Sequence, residues 1–326
     1  MNVAILGSGF IVPVFIENAR QIKGYHLTAL WGRNREKIQH FKDDVDYVTD
    51  DLEQVLNDKN VDAVYVALPN GLHYKYGKKA IEHGKHLIME KPFCVTNQQA
   101  KQLFELGEQH HVLVFEAIMT KYNPCYLAAK DKLAEVGDIK IVNVNFSQYS
   151  RRYEKFKNGV IVPAFDKDLA GGSLMDLGVY NIHFVVGMLG KPKKVQYYGN
   201  IVNAIDPSGI LILQYDNFTA CLVNAKDSSS DSFAYIQGEN GYIKLTSTTS
   251  RCSNFILKQK DGIEEQISFE QDGEFIGMKY ELREFLRMFE EKDFASCKKY
   301  SQETLDVQDV LTKALESANL NFADKQ

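Results

Sequence analysis

The sequence lacks the features that mark disulfide-rich, membrane-spanning and nucleic-acid-binding proteins. Its five cysteines are widely spaced and form no Cys-x-x-Cys pair, which argues against a disulfide framework and against a zinc site. No apolar run approaches the roughly 20 residues that a membrane-spanning helix needs. The formal net charge is −5 and no dense basic cluster is present, so we expect no nucleic-acid partner.

The amino terminus also lacks a basic segment ahead of its apolar residues. The stretch MNVAILGSGF contains two glycines and predicts a first strand, not a signal peptide. We therefore expect a cytoplasmic protein with reduced thiols, no membrane partner and no bound metal. The chain of 326 residues is 44% hydrophobic and 25% charged, a composition that predicts about two ordinary globular domains.

The first third of the chain alternates short apolar runs with amphipathic stretches. Such strand–helix repetition with nearly continuous apolar strands is typical of a parallel, doubly wound sheet. We predict a dinucleotide-binding Rossmann domain over residues 1–121. Its predicted strands are Asn2–Leu6, His26–Trp31, Val45–Tyr47, Ala63–Ala67, His86–Met89 and Val112–Phe115.

The pattern changes after about residue 122. Polar and apolar residues alternate in VNVNFS at residues 142–147, and short turns near residues 216, 240 and 262 separate further strand pairs. We predict an α+β substrate-binding domain over residues 122–326 with a large, mostly antiparallel open sheet, a helix at Ser173–Leu189 and a helical pair at about 277–320. An exposed sheet face needs cover, so we expect a homodimer or homotetramer joined through it.

Gly7-Ser8-Gly9 follows the first predicted strand and precedes a predicted helix. Backbone amides at such a helix start can hold a pyrophosphate, and we assign this contact to Gly7, Gly9, Phe10 and Ile11. Val12 stands where the dinucleotide fingerprint has its third glycine, which indicates a different helix–strand approach and not loss of the site. The alternative is a tight turn without a ligand.

The end of the second predicted strand indicates which dinucleotide binds. Sites for NAD place an acidic residue here, whereas this chain has Gly32, Arg33 and Asn34. Arg33 would attract a 2′-phosphate and could stack on adenine, so we favour NADP over NAD as the cofactor. The alternative is that Arg33 is a solvated residue at a helix start.

Two further groups of residues carry the chemistry. Lys91 lies at the carboxyl end of the predicted strand HLIM and precedes Pro92, which biases Lys91 away from helical angles. A lone lysine in such a place is most often a solvated loop residue. Asp176, Tyr180 and His183 have the spacing of one helix face and can handle protons. The alternative for the helix is a core tyrosine whose hydroxyl is satisfied by Asp176.

Three blocks of sequence resemble the Gfo/Idh/MocA oxidoreductase family over nearly the whole chain. They are GSGFIV, VALPNGLHYKYGKKAIEHGKHLIMEKPF and FDKDLAGGSLMDLGVYNIHF, and EAIMTKYNP together with Tyr180 resembles the dihydrodiol dehydrogenase and D-xylose dehydrogenase branch. The resemblance implies NAD(P)-dependent hydride transfer at a sugar-like or diol carbon. It also implies that Lys91 is the catalytic lysine, Asp176 the helix acid and Tyr180 the proton donor. His183 departs from the pattern, because sugar-oxidising relatives often carry an acid there.

The remaining assignments complete the predicted site. The resemblance places Asn70 and His73 in a loop beside the nicotinamide, and we add Leu68, Glu90 and Lys91 on the cofactor side. Weaker candidates for contact with a small-molecule substrate are Lys121, Tyr122, Asn123, Arg151 or Arg152, and His183.

Within the predicted mechanism, Lys91 lowers the pKa of Tyr180 and stabilises a developing alkoxide, and Asp176 holds one of the two in place. The roles of Lys91 and Tyr180 could be exchanged. A glycoside hydrolase that uses bound NAD as a redox relay, or a nucleotide sensor without turnover, would share the fold. Tyr180 in place of histidine counts against the relay, and retention of the reactive residues counts against the sensor.

Overall fold

The computed structural model describes residues 1–269 and 276–322, which divide into two compact units. The first unit holds residues 1–117 and 278–305, and the second holds residues 118–269, 276–277 and 306–322. These units differ from the predicted division at residue 121, because residues 278–305 pack with the first unit. The predicted domain boundary itself stays a prediction.

The first unit is built on a six-stranded parallel sheet with the order β3-β2-β1-β4-β5-β6. The direction of the strand order reverses between β1 and β4, where doubly wound sheets bind their ligands. The predicted Rossmann-type sheet is therefore confirmed. Its strands are β1 Asn2–Leu6, β2 His26–Trp31, β3 Tyr47–Thr49, β4 Ala63–Val66, β5 His86–Glu90 and β6 Val114–Ala117.

Two of the predicted strands begin later than expected. We predicted strands from Val45 and from Val112, but β3 begins at Tyr47 and β6 at Val114. Both valines are buried although they precede the paired residues. Apolar character reports burial more directly than it reports sheet pairing, so the pattern placed these strands about two residues early.

The second unit is built on an eight-stranded sheet with the order β14-β13-β12-β11-β7-β10-β9-β8. All neighbouring pairs are antiparallel except β7 and β10, which confirms the predicted mostly antiparallel sheet. Its strands are β7 Ile139–Ser147, β8 Lys194–Val202, β9 Ile205–Gln214, β10 Thr219–Ala225, β11 Phe233–Gly238, β12 Gly241–Leu245, β13 Asn254–Gln259 and β14 Glu264–Ser268.

The two faces of this sheet differ in exposure. Val142, Leu211 and Leu222 point to a buried face, as does Ile243. The alternate positions, among them Ile141, Ile210 and Tyr198, are exposed large apolar residues. Period-two alternation in the strands therefore marks one core face and one open face.

Helices accompany both sheets. The α-helices are α1 Ile11–Arg20, α2 Arg35–Ile38, α3 Leu52–Leu56, α4 His73–Glu82, α5 Asn97–His110, α6 Pro124–Asp131, α7 Tyr153–Lys157, α8 Val179–Leu189, α9 Ile276–Glu291 and α10 Phe294–Ser317. The carboxyl-terminal helices belong partly to the first unit: Phe285 of α9 stacks on Phe115 of β6 with ring centroids 4.6 Å apart.

The predicted helix at Ser173–Leu189 has two parts. Residues Leu174–Gly178 form a π-helix that continues directly into α8. The longer stretch Lys167–Leu189 is apolar and long enough to cross a membrane, but 78% of its most apolar window is buried inside the protein. Such burial is what the core helix of a soluble protein shows.

Candidate active site

The first unit presents its predicted cofactor residues at the carboxyl ends of parallel strands. Gly7 follows β1 with φ +128°, and a Cβ atom on it would lie 2.3 Å from the carbonyl oxygen of Ala67. Only glycine fits that approach. A Cβ atom on Gly9 would meet nothing within 4 Å, so the fold itself does not require glycine there. The open space over Gly9, at the start of the ten-residue helix α1, fits a pyrophosphate cradle.

The residues beside this turn account for the altered fingerprint. Phe10 is exposed, Ile11 is the first residue of α1, and Val12 is fully buried. The Val12 side chain therefore occupies core space that a third glycine would leave to closer helix–strand packing. The departure from the fingerprint changes packing inside the unit, not the open face of the turn.

Arg33 is the second residue after β2 and begins an exposed segment. Its neighbour Asn34 caps α2 by accepting a hydrogen bond from the Lys37 backbone N–H at 3.1 Å. In the described parts of the chain, no carboxylate lies within ion-pair distance of the Arg33 guanidinium. The side chain therefore has the exposure that recognition of an anion requires.

Lys91 follows β5, and the residues around it are tightly bonded. The Tyr65 hydroxyl of β4 donates to Glu90 Oε1 at 2.5 Å, and the Lys91 backbone N–H donates to Glu90 Oε2 at 3.2 Å. Tyr65 also stacks on Phe15 of α1, with ring centroids 3.9 Å apart. Burial raises the pKa of Glu90, while the Tyr65 hydrogen bond and the Lys91 charge oppose that shift.

His73 joins the loops that follow β4 and β5. Its Nδ1 lies 2.9 Å from the Pro92 carbonyl oxygen, and its Nε2 lies 2.8 Å from the Leu68 carbonyl oxygen. Burial lowers the pKa of His73, whereas these carbonyl contacts favour the protonated ring. The ring is fully buried, so its observed contacts fix the loop that carries Lys91. The assignment of Leu68, Asn70 and His73 to cofactor contact stays a prediction.

Glu116 is a second buried carboxyl group near this loop, and the sequence reasoning missed it. It lies on β6, accepts from the Thr304 hydroxyl of α10 at 2.7 Å, and accepts from the Phe93 backbone N–H at 3.3 Å. The available signal was its place at the end of an apolar strand, the same kind of place that drew attention to Lys91.

In the second unit, Asp176 lies in the π-helical turn. Its Oδ2 accepts from Lys226 Nζ at 2.5 Å. The Lys226 side chain is 4% exposed, whereas that of Asp176 is 40% exposed. Lys226, which follows β10, was not predicted, because a single lysine after an apolar strand gives no sign of its partner.

Tyr180 and His183 both lie on α8 and are buried. The Tyr180 ring packs at a tilt against Phe146 of β7, with centroids 6.1 Å apart. The π-helical turn follows an i→i+5 pattern, so Asp176 does not have the regular offset from Tyr180 that an α-helix would give. Such turns occur frequently at functional sites.

Gly171 and Gly172 precede the π-helix, and Asp206 of β9 is what Gly172 approaches. A Cβ atom on Gly172, at φ +122°, would lie 2.0 Å from Asp206 Oδ1. Asp206 Oδ2 accepts from the Tyr197 hydroxyl and from the Leu174 backbone N–H, each at 2.7 Å. Burial raises the pKa of Asp206 to about 6. This carboxyl group anchors the first residue of the π-helix.

The predicted substrate contacts have mixed surroundings. Lys121 and Tyr122 are buried, with Lys121 Nζ 5.6 Å from the Tyr122 ring centroid, and Arg151 is exposed. The Asn123 side-chain amide forms hydrogen bonds within the protein. It accepts from the Cys125 backbone N–H at 2.8 Å and donates to the Arg251 carbonyl at 2.7 Å. Their contact with substrate stays a prediction.

The predicted catalytic residues are divided between the units. Lys91 lies in the first unit, and Asp176 and Tyr180 lie in the second. The proposed partnership of Lys91 with Tyr180 therefore stays a prediction. No group of three histidine, cysteine or acidic residues that could hold a metal ion occurs in residues 1–269 and 276–322.

Comparison with known proteins decides the family. Residues 1–118 match the GFO_IDH_MocA oxidoreductase family with its NAD-binding Rossmann fold, and residues 126–244 match the GFO/IDH/MocA C-terminal domain. The chain belongs to the GFO/IDH/MocA family. It is therefore an oxidoreductase that uses a nicotinamide dinucleotide, as the resemblance implied.

Individual members of the GFO/IDH/MocA family resemble the chain along its length. The scyllo-inositol 2-dehydrogenase (NADP(+)) IolU of Bacillus subtilis is 31% identical over 326 residues, 99% of this chain and 98% of that protein. D-xylose 1-dehydrogenase (NADP(+)) 2 of Haloferax volcanii is 28% identical over 252 residues, 75% of each chain. The crystal structure of KijD10, a 3-ketoreductase from Actinomadura kijaniata in complex with NADP and TDP-benzene, has the same fold, with a TM-score of 0.85, 20% identity and 97% coverage of each chain.

The contrast between the two glycines of the turn gives a test. Gly7→Ala should lower the free energy of unfolding by about 2 kcal/mol or more, because the added methyl group meets a backbone carbonyl at a positive φ. Gly9→Ala should leave stability within about 0.5 kcal/mol and weaken NADPH binding at least about tenfold, since its methyl group enters the cradle. Urea unfolding and fluorescence titration measure the two effects. Unchanged NADPH affinity in Gly9→Ala would place the cofactor elsewhere.

Proposed function

We propose that the chain catalyses NADP(H)-dependent hydride transfer at a secondary carbinol or carbonyl carbon of a sugar, cyclic polyol or diol. The observation that carries this proposal is Lys91 directly after β5, on the same edge of a parallel sheet as the Gly7 turn, in a member of an oxidoreductase family. The relatives named as NADP(+)-dependent inositol and xylose dehydrogenases support both the cofactor and the substrate class.

The protein manages one proton in this mechanism. When bound, the nicotinamide ring supplies or accepts the hydride. In reduction, the carbonyl carbon gains the hydride and the Tyr180 hydroxyl gives its proton to the carbonyl oxygen, forming the alcohol; oxidation reverses both transfers. An unperturbed tyrosine has a pKa of about 10, so a nearby ammonium is needed to favour the phenolate. We assign that role to Lys91, which would also stabilise negative charge developing on the substrate oxygen.

Two other functions are compatible with the fold. A redox-relay glycoside hydrolase would keep its NAD and show no net turnover, and a sensor would bind nucleotide without any turnover. The named relatives are dehydrogenases that turn over NADP(+), which favours net hydride transfer. Retention of Lys91 and Tyr180 favours an enzyme over a sensor.

Substitution of the two reactive residues tests the assignment. Lys91→Met and Tyr180→Phe should each lower kcat about 10²- to 10⁴-fold while NADPH affinity changes little, because each removes a proton-handling group. Activity on a panel of cyclic polyols and aldoses, and NADPH titration, measure the two effects separately. The exposed residues Lys78 and Tyr149 provide matched controls, Lys78→Met and Tyr149→Phe. A variant that keeps the wild-type rate removes that residue from the mechanism.

We further propose that Arg33 selects NADP by pairing with the 2′-phosphate. The argument rests on its exposure after β2, on the absence of an acidic residue in the segment Gly32–Asn34, and on the strength of charge-assisted hydrogen bonds. In this assignment Arg33 would hold the adenosine end of the cofactor, and the turn at Gly9 would hold its pyrophosphate.

Replacement of this arginine should change cofactor preference. Arg33→Ser should weaken NADPH binding about 10- to 100-fold and leave NADH binding nearly unchanged, since only NADPH carries the 2′-phosphate. Arg20→Ser is a matched control, because Arg20 is an exposed arginine of the same unit that already pairs with Asp44 at 2.8 Å. An equal loss for both cofactors would show that Arg33 recognises another part of the dinucleotide.

The open face of the second sheet supports a proposal about assembly. Ile210 lies directly opposite Tyr198 on β8 and Val223 on β10, so their side chains share one face. Ile210 and Tyr198 are 42% and 63% exposed. We propose that a second copy of the chain covers this face in a homodimer or homotetramer, and that the protein works in the cytoplasm, where its free cysteines stay reduced.

A charge on the open face should disrupt such an assembly. Ile210→Lys should shift the molar mass in solution to that of the monomer, because it places an ammonium in an apolar contact. Phe294→Lys, at an exposed position of the first unit, should leave the mass unchanged. Light scattering after size-exclusion chromatography measures both. A wild-type protein that is monomeric at micromolar concentration would contradict the proposal.

A further inference from the structure

Lys226 is a buried cation whose backbone and side chain are both held in place. Its backbone N–H donates to the Pro207 carbonyl at 2.7 Å, and its own carbonyl accepts from the Ser150 N–H at 2.8 Å. Its Nζ atom lies 2.5 Å from Asp176 Oδ2 and 4.9 Å from the centroid of the Phe165 ring. The position of the ammonium is therefore defined by strand, loop and aromatic ring together.

The two side chains of this ion pair differ in their exposure to solvent. A lysine near the surface normally extends its ammonium into water, but this side chain is 4% exposed and turns inward. A buried ammonium requires a charged or hydrogen-bonded partner, and Asp176 supplies one. Because the Asp176 side chain is 40% exposed, the pair has a buried cationic end and an accessible carboxylate end.

The π-helical turn holds the carboxylate end of the pair. Leu174, the first residue of that turn, donates its backbone N–H to the buried Asp206 at 2.7 Å. Gly178, the last residue, packs so closely that a Cβ atom on it would lie 2.9 Å from Asn224 Oδ1 on β10. The segment carrying Asp176 is thus fixed at both ends, and Lys226 fixes the side chain.

We propose that Lys226 is a positioning residue for hydride transfer, which keeps Asp176 ionised and holds its carboxylate in one orientation. This inference rests on the proposed function together with the predicted mechanism, in which Asp176 holds Lys91 or Tyr180 in place. Lys226 does not itself contact substrate or cofactor in this proposal. Its effect reaches the reaction through Asp176, and its charge also lowers the pKa of the neighbouring Asp206, which the test must separate.

Other titratable groups lie around this pair, and their effects on a pH profile must be distinguished from that of Asp176. Asp206 of β9 and Tyr197 of β8 are hydrogen-bonded to each other beside the π-helix, and Asp227 follows Lys226 in the chain. Tyr180 and His183 lie on α8, which continues the π-helix. Asp206→Asn is the most useful control, because burial raises the pKa of Asp206 to about 6, within the range of a pH profile.

The test compares pH profiles of kcat/KM for purified full-length variants with NADP+ and an oxidisable substrate from the panel. Without the adjacent ammonium, Asp176 takes up a proton at higher pH. The acidic limb should therefore move up by about 1–2 pH units in Lys226→Gln. Lys226→Arg keeps the charge and should keep the limb near its wild-type position. Asp206→Asn removes the other carboxyl group whose pKa the Lys226 charge lowers, so Lys226→Gln should move the limb by the same amount in an Asp206→Asn background.

A double-mutant cycle adds a measurement that a purely structural role would not reproduce. Asp176→Asn should lower kcat about 100-fold, and adding Lys226→Gln should cause no further loss, because Lys226 acts through Asp176. In the cofactor-free protein, the loss of Tm in the double variant should be smaller than the sum of the two single losses. If Lys226→Gln alone does not fold, Lys226→Met, which also removes the charge but keeps an apolar stem, takes its place in the pH profile and in the cycle.

The outcomes separate this inference from the proposed function. An unchanged acidic limb in Lys226→Gln, or fully additive losses in the double variant, would overturn the role of Lys226 while Asp176→Asn remained impaired. Wild-type activity in Asp176→Asn would instead overturn the role given to Asp176. An inactive wild-type protein with every substrate and both cofactors would overturn the hydride-transfer function itself.

Discussion

Charged side chains that leave water must find partners, and this constraint shapes both compact units. Glu90 accepts from Tyr65 and from the Lys91 backbone, Glu116 accepts from Thr304, and Lys226 meets Asp176. An unpaired buried charge would cost several kcal/mol, so each of these groups restricts the position of its partner. The residues proposed for catalysis are consequently attached to rigid neighbours and not to loose loops.

The same constraint explains why the strand ends carry the chemistry. In the first sheet, Gly7 after β1 lies close to the Ala67 carbonyl after β4, and the His73 ring contacts carbonyl groups of the segments after β4 and β5. The Tyr65 hydroxyl joins β4 to Glu90 at the end of β5. In the second unit, Asp206 and Asn224 of the sheet contact the π-helix at its first and last residues. In each unit, the residues proposed for catalysis are therefore held by the sheet of that unit, and such rigid support favours accurate placement of reacting groups.

Much of the fold was predictable from residue patterns. Continuous apolar strands separated by helices predicted the parallel sheet, and alternation with short turns predicted the antiparallel one, because these periodicities report which faces are buried. The strand β8 was missed, since KVQYYGNIV is mostly exposed and lacks a regular apolar alternation. The association of residues 278–305 with the first unit was also missed, because amphipathic helices show that they pack but not against what.

For the candidate site too, some features were predictable from the sequence and others were not. The sequence by itself determined the family, the nicotinamide cofactor, the fold class and the residue types at each strand end, because these depend on local pattern and motif spacing. Only the tertiary structure decided that Asp176 pairs with Lys226, that Gly172 faces Asp206, and that the Asn123 amide is used to cap α6. The first two pairs are separated by 50 and 34 residues, and their pairing follows from burial and close packing, which leave no periodic trace in the chain, whereas the Asn123 cap is local to the start of α6.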